Sequence, residues 1–370
     1  MNMTNKRFAI LDDFFPNLTT GFRIAEFNYY LEAFPNSVAY VHRYDNHYPE
    51  YAATYPHLKD KVQSFYQFDG TGRSYGLFYT VFLQNAAHFT FAYELDNTPF
   101  IFEMYPGGGF WINDNEVDAK LRKVLSSPLF RKVIVTQKIT YDYLVDRKFT
   151  TPDKIAYIYG MVTHPEYFQP TAVRKLYYGK DKNTFDICFL AHKYMPSGID
   201  KGYPTFIETC KKLLKISENF RFHVVGNFEY NEAEVRELGS TIVFYGPKDR
   251  RFFPIFFSKM DIIVSPNKPF VLIPGKSYDG FPTGCCVDAA LHNVAVFCTD
   301  LLHMNGPFEH RKDIFIINPD AGEIAKNILE YFHDTDKLYR LSAQGQAKFR
   351  EVFDFNKQMA ARVSVIAPFM

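Results

Sequence analysis

SYDGFPTGCCVDAALHNVAVFCTD, residues 277–300, holds four features in one stretch: a loop with an acid (Asp279), a Gly/Pro-rich turn (Gly280, Pro282, Gly284), a helix start bearing a second acid (Asp288), and a short apolar strand over 294–298. A turn whose backbone amides run into a helix N-terminus is an anion site, because unpaired N–H groups meet the positive end of the helix dipole there. A phosphate fits such a turn. Acids on either side cannot attract phosphate by charge, so their useful role is to accept hydrogen bonds from the hydroxyls of a sugar or ribose. The stretch predicts a nucleotide sugar lying across a loop-to-helix junction. The same spacing also suits an ordinary strand–loop–helix connection with Asp279 as a capping residue.

Working outward, the 370 residues are enough for two domains, each with its own core. Hydrophobic residues make up 47% and aromatics 18%, with 39 Phe and 26 Tyr against one Trp, which excludes disorder over most of the length. A formal net charge of +1 and the absence of long basic runs argue against nucleic acid as a partner. No run of about 18 apolar residues occurs, and the N-terminus MNMTNKRFAILDD lacks the pattern of a secretory signal. A cytoplasmic location is expected, with contact at the inner face of a membrane left open. The five cysteines have no CxxC pairing or zinc spacing and read as reduced, mostly buried thiols.

The chain opens as a βαβ unit: strand 7–11, helix 22–34 introduced by Thr19-Thr20-Gly21, and strand 37–42. There is no GxGxxG in the first loop, and Arg43 follows the second strand where a dinucleotide fold wants an acid, so a dehydrogenase reading weakens. Residues 44–76 read as an irregular Tyr-, His- and Pro-rich surface segment, and 77–89 as a helix. Strand 100–104 then runs into Tyr105 and the triple glycine 107–109, which allows either close ligand approach or a flexible connector. Strands and helices alternate through 113–159 and again from 185 onward, ending in a long helical tail from 337. The expected division is 1–175, 176–350 and a C-terminal helix over 351–370 packing back on the first domain.

The order of elements in the second half resembles family-4 glycosyltransferases, retaining enzymes of the α/β GT-B fold, in which two Rossmann-like domains face each other across a cleft. The family's motif of Glu-Gly-Phe-Gly, Glu-Ala and a strand ending in Thr/Ser-Asp stands here as Asp279-Gly280-Phe281-Pro282-Thr283-Gly284, Asp288-Ala289-Ala290 and Thr299-Asp300. Both acids are Asp, a methylene shorter than Glu, and the turn between them is one residue longer. Lys201-Gly202 matches the family's Lys-Gly, while its Arg position falls on His192 or Lys193. Gly226, Gly246-Pro247 and Val264-Ser265-Pro266 resemble further family turns, Gly21 its phosphate-facing loop, and Tyr105 stands where many members carry a His that touches the donor sugar.

The resemblance implies transfer of a hexose-type sugar from a nucleoside diphosphate sugar, UDP before GDP, with retained configuration. The acceptor would be a glycan or lipid-linked hydroxyl in polysaccharide synthesis. It implies that Lys201, Lys193 or His192 and the turn amides of residues 281–284 neutralise the departing diphosphate, that Asp279 holds sugar hydroxyls, and that Asp288 holds the ribose. Donor-side contacts would come from Gly21, Tyr105, Gly226, Gly246, Gly280, Phe281, Pro282, Thr283 and Gly284. No metal or other cofactor is expected; the one Asp-x-Asp, Asp334-Thr335-Asp336, lies between two helices and reads as a cap. The acceptor is sought in 44–76 and 107–113, and Arg43, Tyr44 and Arg73 are candidates for membrane contact. Two alternatives stay open: a GT-B protein that binds a sugar nucleotide or partner without transferring, and a sugar-nucleotide epimerase.

Overall fold

A computed structural model describes residues 7–68, 70, 75–169 and 173–370; Arg73 lies outside them. The chain divides into two units. The first comprises Met1–Pro165, Lys276–Gly280 and Phe355–Met370; the second comprises Glu166–Gly275 and Phe281–Asp354.

The first unit holds a sheet of seven strands: β1 (Arg7–Asp12), β2 (Ser37–Val41), β3 (Val62–Ser64), β4 (Tyr75–Val81), β5 (Phe100–Met104), β6 (Phe130–Val135) and β7 (Ile155–Tyr157). They pair in the order β3-β2-β1-β4-β5-β6-β7, all parallel. Parallel strands covered on both faces read as continuous apolar runs. Accordingly β2, β4 and β5 are buried along almost their whole length. The second unit repeats the scheme with β8 (Phe185–Leu190), β9 (Phe220–Val225), β10 (Ile242–Phe244), β11 (Ile262–Ser265), β12 (Ala295–Cys298) and β13 (Phe315–Ile316), in the order β10-β9-β8-β11-β12-β13. In both sheets the order reverses beside the first strand, which marks a crevice at the C-terminal strand ends as the place for a ligand.

Two sequence expectations are corrected. Residues 77–89 are not one helix: Tyr75–Val81 is the strand beside β1, and only Leu83–His88 is helical. The break falls at Phe82, whose φ of 73° lies in the left-handed region, where a bulky residue is an outlier that neither a strand nor a helix accommodates. Residues 44–76 are likewise not wholly irregular, since they contain the helix Tyr44–Thr54 and the edge strand β3.

Several helix starts follow from single side chains. Asp114 accepts the amides of Glu116 and Val117, both at 3.0 Å, and starts Asn115–Leu125. Asp320 accepts from Glu323 N at 2.8 Å and starts Ala321–His333. Asp334, from the Asp-x-Asp, accepts from Lys337 N at 2.9 Å and caps Thr335–Val352. Each side-chain oxygen satisfies a donor that the first turn leaves unpaired.

The last helix, Phe355–Ile366, belongs to the first unit, and its Met359 and Ile366 lie in that unit's apolar core. Its Arg362 is fully buried and grips Glu103 with two bonds, Nη2 to Oε1 at 2.6 Å and Nε to Oε2 at 2.9 Å. Beside this pair, Glu26 Oε1 lies 2.5 Å from the Tyr79 hydroxyl. Burial, then the charge of Glu103, pushes the Glu26 carboxyl up to about 8.

Candidate functional site

In the second unit the predicted phosphate ligands gather at the C-terminal strand ends. The loop after β8 carries exposed His192 and half-buried Lys193. The Asn227 side chain, just past β9, fixes this loop: its Oδ1 accepts from Lys193 N at 2.6 Å and its Nδ2 donates to Lys193 O at 3.1 Å. The two loops touch because residue 226 is glycine. Its φ is +129°, and a Cβ there would lie 1.9 Å from Ala191 O. Gly226 N also donates to Gly246 O at 3.1 Å, so Lys193, Gly226 and Gly246 form one stitched rim.

Lys201 ends a short 3-10 turn, Ile199–Lys201, on the same edge. Its ammonium lies 5.0 Å from the Tyr194 ring centroid and 3.8 Å from Asp200 Oδ2. Gly202 follows at φ +73°, where a Cβ would come 2.0 Å from Pro266 O. The turn is thereby held against the segment leaving β11, and Lys268 N donates to Asp200 O at 3.0 Å. Lys201 therefore sits at the β8/β11 reversal.

The turn–helix junction is present. Gly284–Leu291 is a helix whose first turn has no acidic residue and no side-chain cap from Thr283, an open positive end of the kind that favours anions. The Thr283 hydroxyl lies 3.4 Å from Ser265 Oγ and 3.2 and 3.3 Å from the sulfurs of Cys285 and Cys286. Phe281 and Pro282, within the turn, are buried. Asp288 is half-buried one turn into the helix, and burial pushes its carboxyl up to about 7.

The two predicted acids are divided between the units: Asp288 belongs to the second, whereas Asp279 and Gly280 fall in Lys276–Gly280 of the first. There Lys276 Nζ pairs with Asp114 at 2.8 Å, the Tyr278 hydroxyl lies 2.7 Å from Thr140 Oγ1, and a Cβ at Gly280 would come 3.3 Å from Gln137 Nε2. Gly21 opens the first helix of that unit, with nothing within 4 Å of where its Cβ would stand. Tyr105 follows β5 but is 9% exposed, and its hydroxyl lies 3.4 Å from Glu26 Oε2 and 3.5 Å from Arg362 Nη2. Asp300 is occupied by its own loop, accepting from Met304 N and Asn305 N.

Sequence reading missed Asn227, Arg23 and Asn85. At the reversal of the first sheet, Asp12 accepts from Phe14 N, Phe15 N, Arg23 Nε and Asn85 Nδ2, while Asp13 accepts from the same Arg23 and Asn85. Burial, the largest influence, pushes the Asp12 carboxyl above its ordinary range. The available signals were the Asp-Asp at a strand end and an Asn directly after a strand-end Gly.

No family model and no curated protein sequence matches the chain. Solved structures do. Anabaena HepE in complex with UDP aligns over 98% of this chain and 100% of its own, at 13% identity and a TM-score of 0.73. HepE with UDP-glucose aligns over 97% and 99% at 15% identity and 0.70. Sucrose-phosphate synthase from Thermosynechococcus elongatus aligns over 98% of each chain at 12% identity and 0.65. The chain has the GT-B fold of these glycosyltransferases.

Proposed function

We propose that the protein is a retaining glycosyltransferase that moves a hexose-type sugar from a UDP-sugar to a glycan or lipid-linked hydroxyl. The observation that carries this reading is the C-terminal edge of the second sheet. It gathers two lysines, a stitched glycine rim and an uncapped helix end, on a fold shared with a protein solved with UDP and UDP-glucose.

In this reading Lys193 and Lys201 neutralise the diphosphate together with the amides at the start of Gly284–Leu291, where negative charge grows as the bond to the sugar breaks. Asp288 accepts hydrogen bonds from the ribose hydroxyls, a role its ionised form fills more strongly. The preformed rim lowers the ordering cost of donor binding.

The test is turnover. The protein is incubated with UDP-hexoses, with and without candidate acceptors, and UDP release and the anomeric configuration of the product are followed by NMR. Release of UDP with a retained product is the expected result. An inverted product removes the retaining mechanism, and donor binding without any sugar release supports a binding protein.

A further inference from the structure

We infer that His42 and His88, in the first unit, form a binding site for a transition-metal dication of the Zn²⁺, Ni²⁺ or Cu²⁺ class. His42 directly follows β2 and His88 is the last residue of the helix Leu83–His88. Their Nε2 atoms lie 3.1 Å apart. Two nitrogens each about 2.0–2.1 Å from a tetrahedral zinc stand roughly 3.3–3.4 Å from one another. The pair is therefore already close to the edge of a coordination tetrahedron.

Both rings are held in place. His42 stacks on Phe89 at 5.3 Å and 11° and lies 4.5 Å from Phe65. His88 meets Phe89 edge-on at 5.0 Å and Phe91 at 6.3 Å. Little side-chain freedom is left to lose on binding. A metal takes the neutral imidazole, so binding at this pair should strengthen as pH rises through the ordinary histidine range.

In the metal-free pair one Nε2–H donates to the other ring. On binding, that proton moves to Nδ1 of its own ring, both Nε2 lone pairs meet the ion, and water completes the shell with no net proton release. Imidazole donors select Zn²⁺, Ni²⁺ and Cu²⁺ over Mg²⁺ and Ca²⁺, which take oxygen. This inference does not depend on the sugar-transfer reading and lies apart from the lysine rim.

The experiment is calorimetric titration of the full chain with ZnCl₂, NiCl₂ and MgCl₂ in a non-coordinating buffer slightly above neutral pH. It compares the wild type with His88→Ala, the double variant with His42→Ala, and His57→Ala as a control histidine. His88 is exposed, so its loss removes only its ring contacts with His42, Phe89 and Phe91 and leaves the buried core in place. One site for Zn²⁺ and Ni²⁺ is expected, with no Mg²⁺ binding, a loss of about a hundredfold in His88→Ala, since removing even an outer partner of a metal site costs 10–100-fold, and no change in His57→Ala. Cu²⁺ spectra should fall from two nitrogen donors to one in His88→Ala. Equal affinity in wild type and double variant, or no binding below millimolar, overturns the inference.

Discussion

Replacing Arg362 by Met should destabilise the first unit far more than a typical helix substitution near a chain end. Arg362 and Glu103 are both fully buried, and Arg362 also donates to Gln358 O and Oε1, so its guanidinium is bonded on several sides. Met keeps much of the apolar stem but leaves the Glu103 carboxylate buried without its cation. Removing one partner of a buried pair costs about 3–5 kcal/mol. For a domain of roughly 150–250 residues each kcal/mol lowers Tm by about 2–4 °C, so a fall of roughly 6–20 °C is expected. The single tryptophan, Trp111, lies in the first unit, so selectively excited Trp fluorescence reports its unfolding. Glu103→Gln combined with Arg362→Met removes the abandoned charge and should recover most of the loss. A Tm drop of under about 2 °C in Arg362→Met would refute the reasoning, because it corresponds to less than about 1 kcal/mol.

Other expectations follow from the same structure. Glu26 holds its proton to about pH 8 when folded, against an ordinary value of 4.5. The folded state therefore binds the proton more tightly, and this group's stabilising contribution is full at low pH and lost as pH rises from about 4.5 to 8. Denaturant midpoints across that window should fall less steeply with pH in Glu26→Gln than in the wild type, the difference between the two slopes being this group's share. Asp288, raised to about 7, accepts ribose hydroxyls more strongly when ionised, so UDP affinity should rise more steeply through pH 7 in the wild type than in Asp288→Asn, measured by titration at several pH values. Gly226→Ala places a Cβ against Ala191 O, so it should cost about 1–3 kcal/mol of stability by denaturant melts and weaken UDP binding by moving the Lys193 loop.

The second unit was legible in the sequence because its strands are short apolar runs separated by Gly- and Pro-marked turns; strand 185–190 was read to the residue. The first unit was harder. In YGLFYTVFLQNAAHF a strand buried on both faces runs into a helix with no polar or glycine break, and periodicity cannot separate the two. The division at Gly280 also could not be read, since local sequence shows a turn but not which body it packs on. Arg362 reads as one more helix cation, and nothing local pairs it with Glu103.

The central claim is tested most directly by calorimetric titration of the protein with UDP and UDP-glucose, alongside Lys201→Ala and Asp288→Ala. Hydrogen bonds to charged groups contribute about 1.5–3 kcal/mol, so Lys201→Ala should weaken UDP binding by roughly 10–150-fold. Asp288→Ala should weaken it as well, with both variants still folded. Failure of the wild type to bind UDP or UDP-glucose, or variants that bind as tightly as the wild type, would contradict the account.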